Sequence, residues 1–416
     1  MTHSTTNTFK MKREILNFVE KISANASRPL KKFLADIAYG MLASGSCLLT
    51  KVAHELCEDS KKINVVDRLS RHLAEDDFDL VMNNYLQLIC KMVSDHPVIH
   101  IDDSDVVKPD GYKFESLGWV RDGSKSTKEK TVISKGYHVT EACVLTKTGH
   151  PVSFFSELHS SLEKSFTSIN HVTFAAMERG RDLFSKATYI MDRGYDDNKM
   201  FCKLMELGQD FVIRLTNRRK LYYKNKWVWA TELCAKRKGK VKMDLFYKGK
   251  NHSGYLSHVK TLITASKVPV YLVLVYGITE HPMMLATNKA IRSKEDLMEI
   301  AKLYFSRWRI EEYFRCKKQM FDFENFRVRS LKAINALNFC LSICMAFLGN
   351  MEGKSPTNKL RNTIIEAADP IKKKVHFQYY RIASGIAELL KHAKEGVRLW
   401  FKPLRPDQRQ LRIKFT

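Results

Sequence analysis

The order of apolar runs between residues 97 and 215 is the feature that most restricts the fold of this chain. The order is strand, hairpin, helix, strand, helix, strand, with polar or glycine residues between the runs. This is the order of a ribonuclease-H-like α/β fold, in which helices cover a mixed sheet. The predicted elements cover residues 98–101, 138–146, 151–155, 170–186, 187–191, 198–207 and 211–215.

The segments on either side of this region have different patterns. Residues 1–95 repeat apolar side chains at spacings of three and four, which predicts an all-helical N-terminal domain. Its short basic helices suit either a helix-turn-helix DNA reader or a plain bundle, and both readings stay open. Residues 217–285 are rich in aromatic and β-branched residues and predict a β-rich insertion. The α/β domain then comprises residues 96–216 and 286–330, and residues 331–416 form a helical C-terminal region where dimerisation is expected.

The charge of the chain indicates a polyanionic partner. Lysine and arginine number 70 against 45 acidic residues, which gives a formal net charge of +25. At this size such an excess is typical of proteins that bind nucleic acid. Between residues 218 and 260 the only acids are Glu232 and Asp244, and aromatic residues are interleaved with the cations. That mixture suits a nucleic-acid backbone with exposed bases, whereas the alternative is an exposed basic sheet without a specific role.

Other features of the sequence predict a cytoplasmic protein that does not enter a membrane. The first residues contain no apolar run, and the most apolar stretch, 339–348, is much shorter than the ~18 residues of a membrane span. This stretch is predicted to be a buried helix. The nine cysteines are scattered without a C-x-x-C pair, which predicts a reducing compartment.

One edge of a helix predicted over residues 293–320 collects chemically active side chains. At about 100° per residue, four of them fall within a stripe roughly 60° wide beside the apolar face. They are Tyr304, Arg307, Glu311 and Lys318. A carboxylate between two cations at the edge of a core is costly unless it has a use. The alternative is an ordinary salt-bridged helix edge.

Two further carboxylates follow predicted strands. Asp102 comes directly after the first strand and Asp192 after the strand at 187–191. In a ribonuclease-H-like sheet these strand ends lie side by side, where a helical carboxylate such as Glu311 completes a triad. Three hard oxygen donors suit Mg²⁺ or Mn²⁺. Two such ions about 4 Å apart would clamp both oxygens of an in-line phosphoryl transfer. Taken singly, either aspartate could instead cap a helix or form a turn.

Three stretches of the sequence together resemble the motifs of a known enzyme family. YFSRWRIEEYFRCKK contains Y-x2-R-x3-E-x6-K, which resembles the signature of the insertion-sequence-four family of DDE transposases. YIMDRGYDD is similar to the second-aspartate motif of that family, and HIDDSD to the first, a strand ending in D-x-[ST]. The resemblance extends over residues 97–330.

The resemblance implies roles for individual residues. It implies that Asp102, Asp192 and Glu311 form the metal-binding triad. It also implies that Tyr304, Arg307 and Lys318 contact transposon-end phosphates, with Arg193 beside the second aspartate as in family members. Asp103 is the alternative first ligand, and Asp102 is preferred because Ser104 then fills the D-x-[ST] position.

The activity implied is cut-and-paste DNA transposition with two Mg²⁺ or Mn²⁺ ions in each active site. Water attacks at the element end, and the freed 3′-hydroxyl attacks the opposite strand and closes a hairpin. The hairpin is then reopened, which frees the same hydroxyl to join target DNA. Such enzymes work as dimers on paired inverted-repeat ends. A base-stacking aromatic is expected in the insertion, and Trp227 and Trp229 are the candidates. The alternative role for either tryptophan is packing within a hairpin. Arg214 and the basic stretch 108–135 are further candidate phosphate contacts.

Three other functions compete with this one. A nuclease of the same fold would share the triad, although the phosphate-contacting stripe favours a protein that holds DNA ends. An inactive or domesticated DNA-binding relative would be favoured by a missing carboxylate, and none is missing. An enzyme acting on small phosphate esters fits poorly with the net charge of +25.

Overall fold

The computed structural model of the chain describes residues 2–127, 129–247, 249–368, 377–391 and 393–401. Its α-helices are α1 Thr2–Ile22, α2 Arg28–Ser44, α3 Leu49–Glu55, α4 Lys62–Glu75, α5 Asp79–Met92, α6 Ile169–Phe184, α7 Asn198–Glu206, α8 Ala230–Ala235, α9 Lys294–Phe305, α10 Trp308–Met320, α11 Leu331–Glu352, α12 Lys359–Ala367 and α13 Tyr379–Leu390. Its strands are β1 Val98–Val107, β2 Gly118–Arg121, β3 Ile133–Leu145, β4 Pro151–His159, β5 Thr188–Met191, β6 Asp210–Arg214, β7 Lys220–Tyr223, β8 Lys226–Trp229, β9 Val241–Tyr247, β10 Lys250–Ile263, β11 Val268–Tyr276 and β12 Met283–Thr287.

One mixed sheet joins these strands, and its central part has the predicted topology. Strands β4, β3, β1, β5 and β6 lie side by side in that order. β1, β5 and β6 are parallel, whereas β3 runs antiparallel to both β1 and β4. This confirms the ribonuclease-H-like α/β fold. The β-rich insertion is also confirmed, and it continues the same sheet because β12 pairs antiparallel with β6.

Helices cover the two faces of this central sheet. On one face, which we call the α6 face, Gly180 of α6 lies against Ile99, and Phe201 of α7 packs on Phe211 with ring centroids 5.4 Å apart. On the other, the α10 face, Lys317 of α10 lies against Glu141 of β3. Because side chains alternate along a strand, successive residues of β1 face these two layers in turn.

The first strand is longer than the sequence predicts. β1 runs to Val107, so Asp102 lies in the middle of the strand and not at its end. Antiparallel pairing with β3 continues from Ile99 opposite Val144 to Val107 opposite Gly136. This pairing compensates for the poor strand propensity of aspartate, because tertiary context outweighs local preference in sheets.

The helix predicted over residues 293–320 is divided into α9 and α10. At the break, Arg307 N donates to Tyr304 O at 3.1 Å and Ile310 N to Arg307 O at 3.1 Å, as in a 3₁₀ turn. The Ser306 hydroxyl donates to Leu303 O at 2.6 Å, which competes with the regular helix bonds. The predicted start is confirmed, because Ser293 forms a capping box with the residue three positions on.

The N-terminal and C-terminal helices pack around the β4 side of the sheet. All-helical structure is confirmed over α1–α5, and α11 is the predicted buried helix. By length and composition α11 could cross a membrane, but 83% of its apolar window is buried inside the protein. Residues 369–376 and 402–416 of the predicted C-terminal helical region lie outside the described residues.

A fully buried polar network joins α10 and α11 to strands β3 and β4. The side chains of Lys317 and Glu141 are both 0% exposed, and the Lys317 ammonium lies 2.8 Å from Glu141 Oε2. It also donates to Asn338 Oδ1 at 2.7 Å. The hydroxyl of Ser156 donates to Glu141 Oε2 at 2.8 Å, and the hydroxyl of Ser153 donates to the other carboxylate oxygen. Each charge in the network therefore has partners.

Candidate active site

Three carboxylates from separate elements meet on the α10 face. Asp102 comes from the middle of β1, Asp192 directly follows β5, and Glu311 lies in the first turn of α10. Asp192 and Glu311 both raise the pKa of Asp102 by like-charge repulsion, so the three form one electrostatic cluster. One oxygen of Asp192 is held by the Gly194 amide, which donates to it at 2.6 Å.

Burial sets the protonation of Asp102. Its side chain is 19% exposed, and burial raises its pKa to about 7. The Arg307 guanidinium opposes this rise, whereas the neighbouring carboxylates add to it. A carboxyl group in this position is poised to change its charge when a cation approaches.

Arg307 links two of the carboxylates. One guanidinium nitrogen lies 3.0 Å from Asp102 Oδ2, and the other forms an ion pair with Glu311 Oε1. Three acids around it, counting Asp192, raise the pKa of Arg307 above its ordinary value. Arg307 itself lies in the break between α9 and α10. The break therefore places a cation between a strand carboxylate and a helix carboxylate.

The neighbouring Asp103 faces away from this cluster. Its two oxygens accept hydrogen bonds from the Thr140 hydroxyl at 2.7 Å and the Tyr195 hydroxyl at 2.8 Å. Burial raises the pKa of Asp103, while these two bonds lower it. Alternation along β1 thus directs Asp102 toward Glu311 and Asp103 toward the α6 face.

Two predicted phosphate contacts lie beside the carboxylates. Tyr304 is 5% exposed and is hydrogen-bonded to Arg214, which ends β6. Burial raises the pKa of Tyr304, and the nearby Arg307 lowers it. The phenol is therefore neutral at physiological pH. The structure brings Tyr304, Arg307 and Arg214 together at the cluster.

Lys318 lies further along the same face. Its ammonium donates to the backbone oxygen of Asp105 at 2.6 Å and lies 3.0 Å from Glu324 Oε1. Asp105 is three residues beyond Asp102 on β1, a distance of about 10 Å along a strand. Lys318 therefore holds the end of α10 against β1. Among the described contacts, it has none with the carboxylates of Asp102, Asp192 and Glu311.

A cleft with three arginines in its lining opens next to Asp192. It has a volume of about 430 Å³ and is lined by Arg193, Arg214 and Arg218, together with Asn217. Arg193 is exposed at its rim. Guanidinium groups bind phosphate oxygens in planar, often bidentate geometry, so this cleft suits an anionic ligand.

The two candidate tryptophans stand at opposite ends of the β7–β8 hairpin. Trp227 is 45% exposed near the turn and packs on Tyr222, with ring centroids 5.5 Å apart. Trp229 is 40% exposed at the other end, where the residue before β7, Arg219, is bonded to Asp196 at 2.7 Å. The structure thus ties the Trp229 end, and not the Trp227 end, to the loop after Asp192.

Sequence reasoning missed His100, which shapes this site. His100 is fully buried, and its Nε2 lies 2.9 Å from the Ser306 hydroxyl at the helix break. Burial and the nearby Arg309 and Arg307 lower its pKa to about 3, so the imidazole is neutral. The signal was available, because alternation in the run His-Ile-Asp puts His100 on the same strand face as Asp102.

The donor set fits a hard divalent cation in its chemistry. Three carboxylates, all of them partly buried, suit Mg²⁺ or Mn²⁺. In the part of the chain that the structure describes, no three His, Cys, Asp or Glu side chains are placed to hold an ion together. Arg307 lies between Asp102 and Glu311 instead, and its positive charge stands where a cation would be required.

Comparison with protein families identifies the family of this chain. The sequence model of the family described as "Transposase DDE domain" matches residues 94–347, more than half of the chain. The matched region begins just before β1 and ends within α11. It contains all three carboxylates and the cation between them. No curated protein matches the chain.

Proposed function

Because this chain belongs to the DDE transposase family, we propose that it performs cut-and-paste transposition as a member of the insertion-sequence-four group. The observation that carries the proposal is the cluster in which Arg307 bridges Asp102 and Glu311 beside Asp192. The substrates are double-stranded inverted-repeat ends and target DNA, the working unit is a homodimer, and the location is the cytoplasm of a prokaryotic cell.

The three carboxylates would hold two Mg²⁺ or Mn²⁺ ions. When bound, these ions would activate water or a 3′-hydroxyl and stabilise the leaving oxygen of the phosphodiester. Arg307 would then exchange its carboxylate partners for a phosphate of the DNA. This exchange keeps each charge paired, because the ions neutralise the acids as the guanidinium leaves them.

The remaining polar side chains would hold the DNA backbone. Tyr304 and Arg214 lie beside the cluster, and Arg193 stands at the rim of the cleft next to Asp192. Lys318 extends the cationic surface along β1. Trp227 would stack on a base turned out of the helix, and Trp229 is the alternative at the anchored end of the hairpin.

The reaction would proceed in four steps at the same cluster. Water hydrolyses the phosphodiester at the element end, and the freed 3′-hydroxyl attacks the opposite strand to close a hairpin. After the hairpin is reopened, that hydroxyl joins the element to target DNA. In this proposal the parts are residues 1–95 for DNA binding, 96–216 with 286–330 for catalysis, 217–285 as the basic insertion and 331–416 for dimerisation.

The test uses purified protein, Mg²⁺ or Mn²⁺, and DNA carrying the ends that flank its own coding sequence. We expect metal-dependent nicks at the element boundary and a hairpin product. Glu311→Gln should abolish both while leaving end binding nearly intact, because the amide removes one ligand charge. The matched control is Glu299→Gln, an exposed acid on α9, which should cleave like the wild type.

Three outcomes would contradict the proposal. Cleavage retained by Glu311→Gln would remove that residue from the triad. Nicks without hairpin or joined products would favour a nuclease of the same fold. Binding of the ends without any cleavage by the wild type would favour an inactive or domesticated DNA-binding relative.

A further inference from the structure

An exposed group of aromatic and basic side chains lies at one edge of the sheet. We call it the edge cluster: Tyr112, Trp119, Arg121, Ile133 and Lys135. The aromatic and aliphatic members are well exposed, at 78% for Tyr112, 61% for Trp119 and 56% for Ile133. The Lys135 ammonium lies 4.8 Å from the Tyr112 ring centroid and 5.9 Å from that of Trp119. Such contacts keep aromatic faces and cations together at a solvent-exposed site.

Pairing of β2 with β3 gives the edge cluster a defined face. Trp119 lies directly opposite Lys135, and Arg121 opposite Ile133, so these four side chains project to one side. Lys135 and Glu141 are an even number of residues apart on β3, so their side chains point to the same face of the sheet. Glu141 faces α10. The edge cluster therefore lies on the α10 face, the face that carries Asp102.

The distance from the carboxylates to the edge cluster corresponds to a short length of duplex. Asp102 is paired with Glu141, which is six residues from Lys135 on β3. Six residues of strand span about 20 Å, which equals about six base steps of 3.4 Å. DNA lying along this face with a phosphodiester at the carboxylates would reach the edge cluster.

Cations continue along the face between the two sites. Lys318, whose ammonium is paired with Glu324, is bonded at Asp105, part of the way along β1. Arg327 is exposed directly after Phe326, whose ring packs against Lys108 at the end of β1. Arg121 and Lys135 then lie at the edge itself. Of the nearby acids, Asp122 is buried and accepts bonds from its own loop. Glu115 is exposed, and its carboxylate accepts a bond from the Leu331 amide at 2.7 Å.

We propose that the edge cluster binds duplex DNA about six base steps from the cleaved phosphodiester. Arg121 and Lys135 contact phosphates, while Trp119 and Tyr112 pack on the sugar edge or on an unstacked base. The cations favour this partner over an apolar protein surface. The proposal rests on the proposed function, because it takes the carboxylates as the cleavage site.

The test variant is Trp119→Ala combined with Arg121→Ala. Both side chains are exposed, so the variant should fold, and an unchanged Tm checks this. The matched control is Leu162→Ala with Lys164→Ala, an exposed apolar residue and an exposed cation in the loop whose Ser160 packs on the opposite face of β2. The probes are a 40-bp duplex centred on the element boundary and a random 40-bp duplex.

We expect the test variant to bind both duplexes about tenfold more weakly than wild type at about 150 mM salt, with a salt slope lower by about one. Hydroxyl-radical footprinting should show protection lost about six base steps from the nick and retained elsewhere. The control variant should match the wild type in affinity and in footprint. The nick should stay at the same phosphodiester.

Other outcomes would overturn the inference in distinguishable ways. Wild-type affinity and footprint in a variant that still cleaves would overturn the edge cluster alone. A change in oligomeric state with unchanged DNA affinity would assign the cluster to contact between copies of the chain. Absence of DNA binding by the wild type would overturn the inference together with the proposed function. In a further outcome, the wild type binds the random duplex and cleaves nothing, while the variant binds it more weakly. That result would support DNA contact at the edge cluster and refute transposition.

Discussion

Arg307 is the residue on which the electrostatics of the candidate site depend. It is 14% exposed, and three carboxylates face it from β1, β5 and α10. The cation compensates part of the charge of the acids, and without it they repel one another more strongly in a partly desolvated position. A guanidinium in this position therefore stabilises the free protein and, in our proposal, also contacts DNA.

Replacement of Arg307 by glutamine should destabilise the free protein by about 3 kcal/mol, because Asp102 and Glu311 lose their shared cation. In thermal melts, millimolar Mn²⁺ should raise the Tm of Arg307→Gln more than that of the wild type, since the acids are then available to the ion. Arg315→Gln, which removes a half-exposed cation from the adjoining helix α10, is the control. A Tm equal to that of wild type without metal, or a smaller metal-induced rise, would contradict this account.

Glu352 should make stability depend on pH. Burial raises its pKa from 4.5 to about 7, and its side chain is 5% exposed beside His150. The pKa of Glu352 is higher in the folded protein than in the unfolded chain, so the protonated carboxyl favours the folded state. Its contribution to the free energy of unfolding is fully present below pH 4.5 and is lost as pH rises through 7. Between pH 5 and 8 the free energy of unfolding of Glu352→Gln should therefore rise relative to that of the wild type, by up to about 3 kcal/mol.

Urea denaturation of Glu352→Gln and of the wild type across this pH range checks the prediction. The comparison between the two proteins removes the pH dependence that they share. A constant difference in the free energy of unfolding would show that Glu352 ionises as readily in the folded protein as in the unfolded chain.

The sequence could identify some site residues and not others. The spacing of Tyr304, Arg307 and Glu311 marks one helix edge, and the structure does bring these three together. The contacts of Lys318 could not be foreseen, because they depend on where the end of α10 meets β1. The same is true of Trp227, whose place at the turn of its hairpin follows from strand register.

At the scale of elements, the position of α10 on the sheet depends on a buried ion pair. Lys317 comes six residues after Glu311, and its ammonium is surrounded by Glu141, Asn338 and Ser156. Sliding α10 by one turn would separate these charges inside the protein. The pair therefore fixes which residues of α10 face β1, in addition to any stability it supplies.

Lys317→Met should lower the free energy of unfolding by about 3–5 kcal/mol, because it leaves the Glu141 carboxylate buried without its cation. The double variant Lys317→Met with Glu141→Gln should recover part of this loss, since no uncompensated charge then remains. Urea denaturation of both variants and the wild type measures the difference. A double variant less stable than Lys317→Met would contradict the assignment of the loss to an unpaired charge.

Element type was more predictable than element length. The hairpin β3–β4, the helices α6 and α7 and the short strand β5 follow from apolar periodicity and their polar boundaries. The length of β1 could not be predicted from apolar periodicity, because pairing with β3 extends the strand through four residues of low strand propensity, 102–105. The helix break at Ser306 was also missed, because apolar periodicity does not mark the two contacts that the Ser306 hydroxyl makes there, with Leu303 O and with His100 on a distant strand.

At the scale of the whole molecule, one hydrophobic core joins regions that differ in sequence pattern. It contains Met11 from α1, Phe33 from α2, Ile101 from β1, Ile343 from α11 and Ile386 from α13. The N-terminal and C-terminal helices thus bury their apolar faces against the central sheet and each other. This joint packing could not be predicted from the sequence, because periodicity indicates which face of a helix is buried but not its partner.

Residues 1–330 should consequently unfold with the C-terminal helices in one main transition. In scanning calorimetry we expect a single dominant peak for the full chain. A chain that begins at residue 96 should be insoluble or should bind a hydrophobic dye, because its core is exposed where α1–α5 are missing. Two well-separated peaks, or a stable monodisperse 96–416 fragment, would contradict this.

The alternation along β1 also limits how this site can change in evolution. Asp102 and Asp103 are adjacent in sequence, yet their carboxylates are on opposite sides of the sheet. Asp103 therefore offers no substitute when Asp102 is replaced, because no side-chain rotation carries a group through a sheet. Only a one-residue insertion or deletion that shifts the strand would exchange them, and it would also reverse every neighbouring side chain. Two consecutive identical residues thus have different surroundings, and the second cannot compensate for replacement of the first.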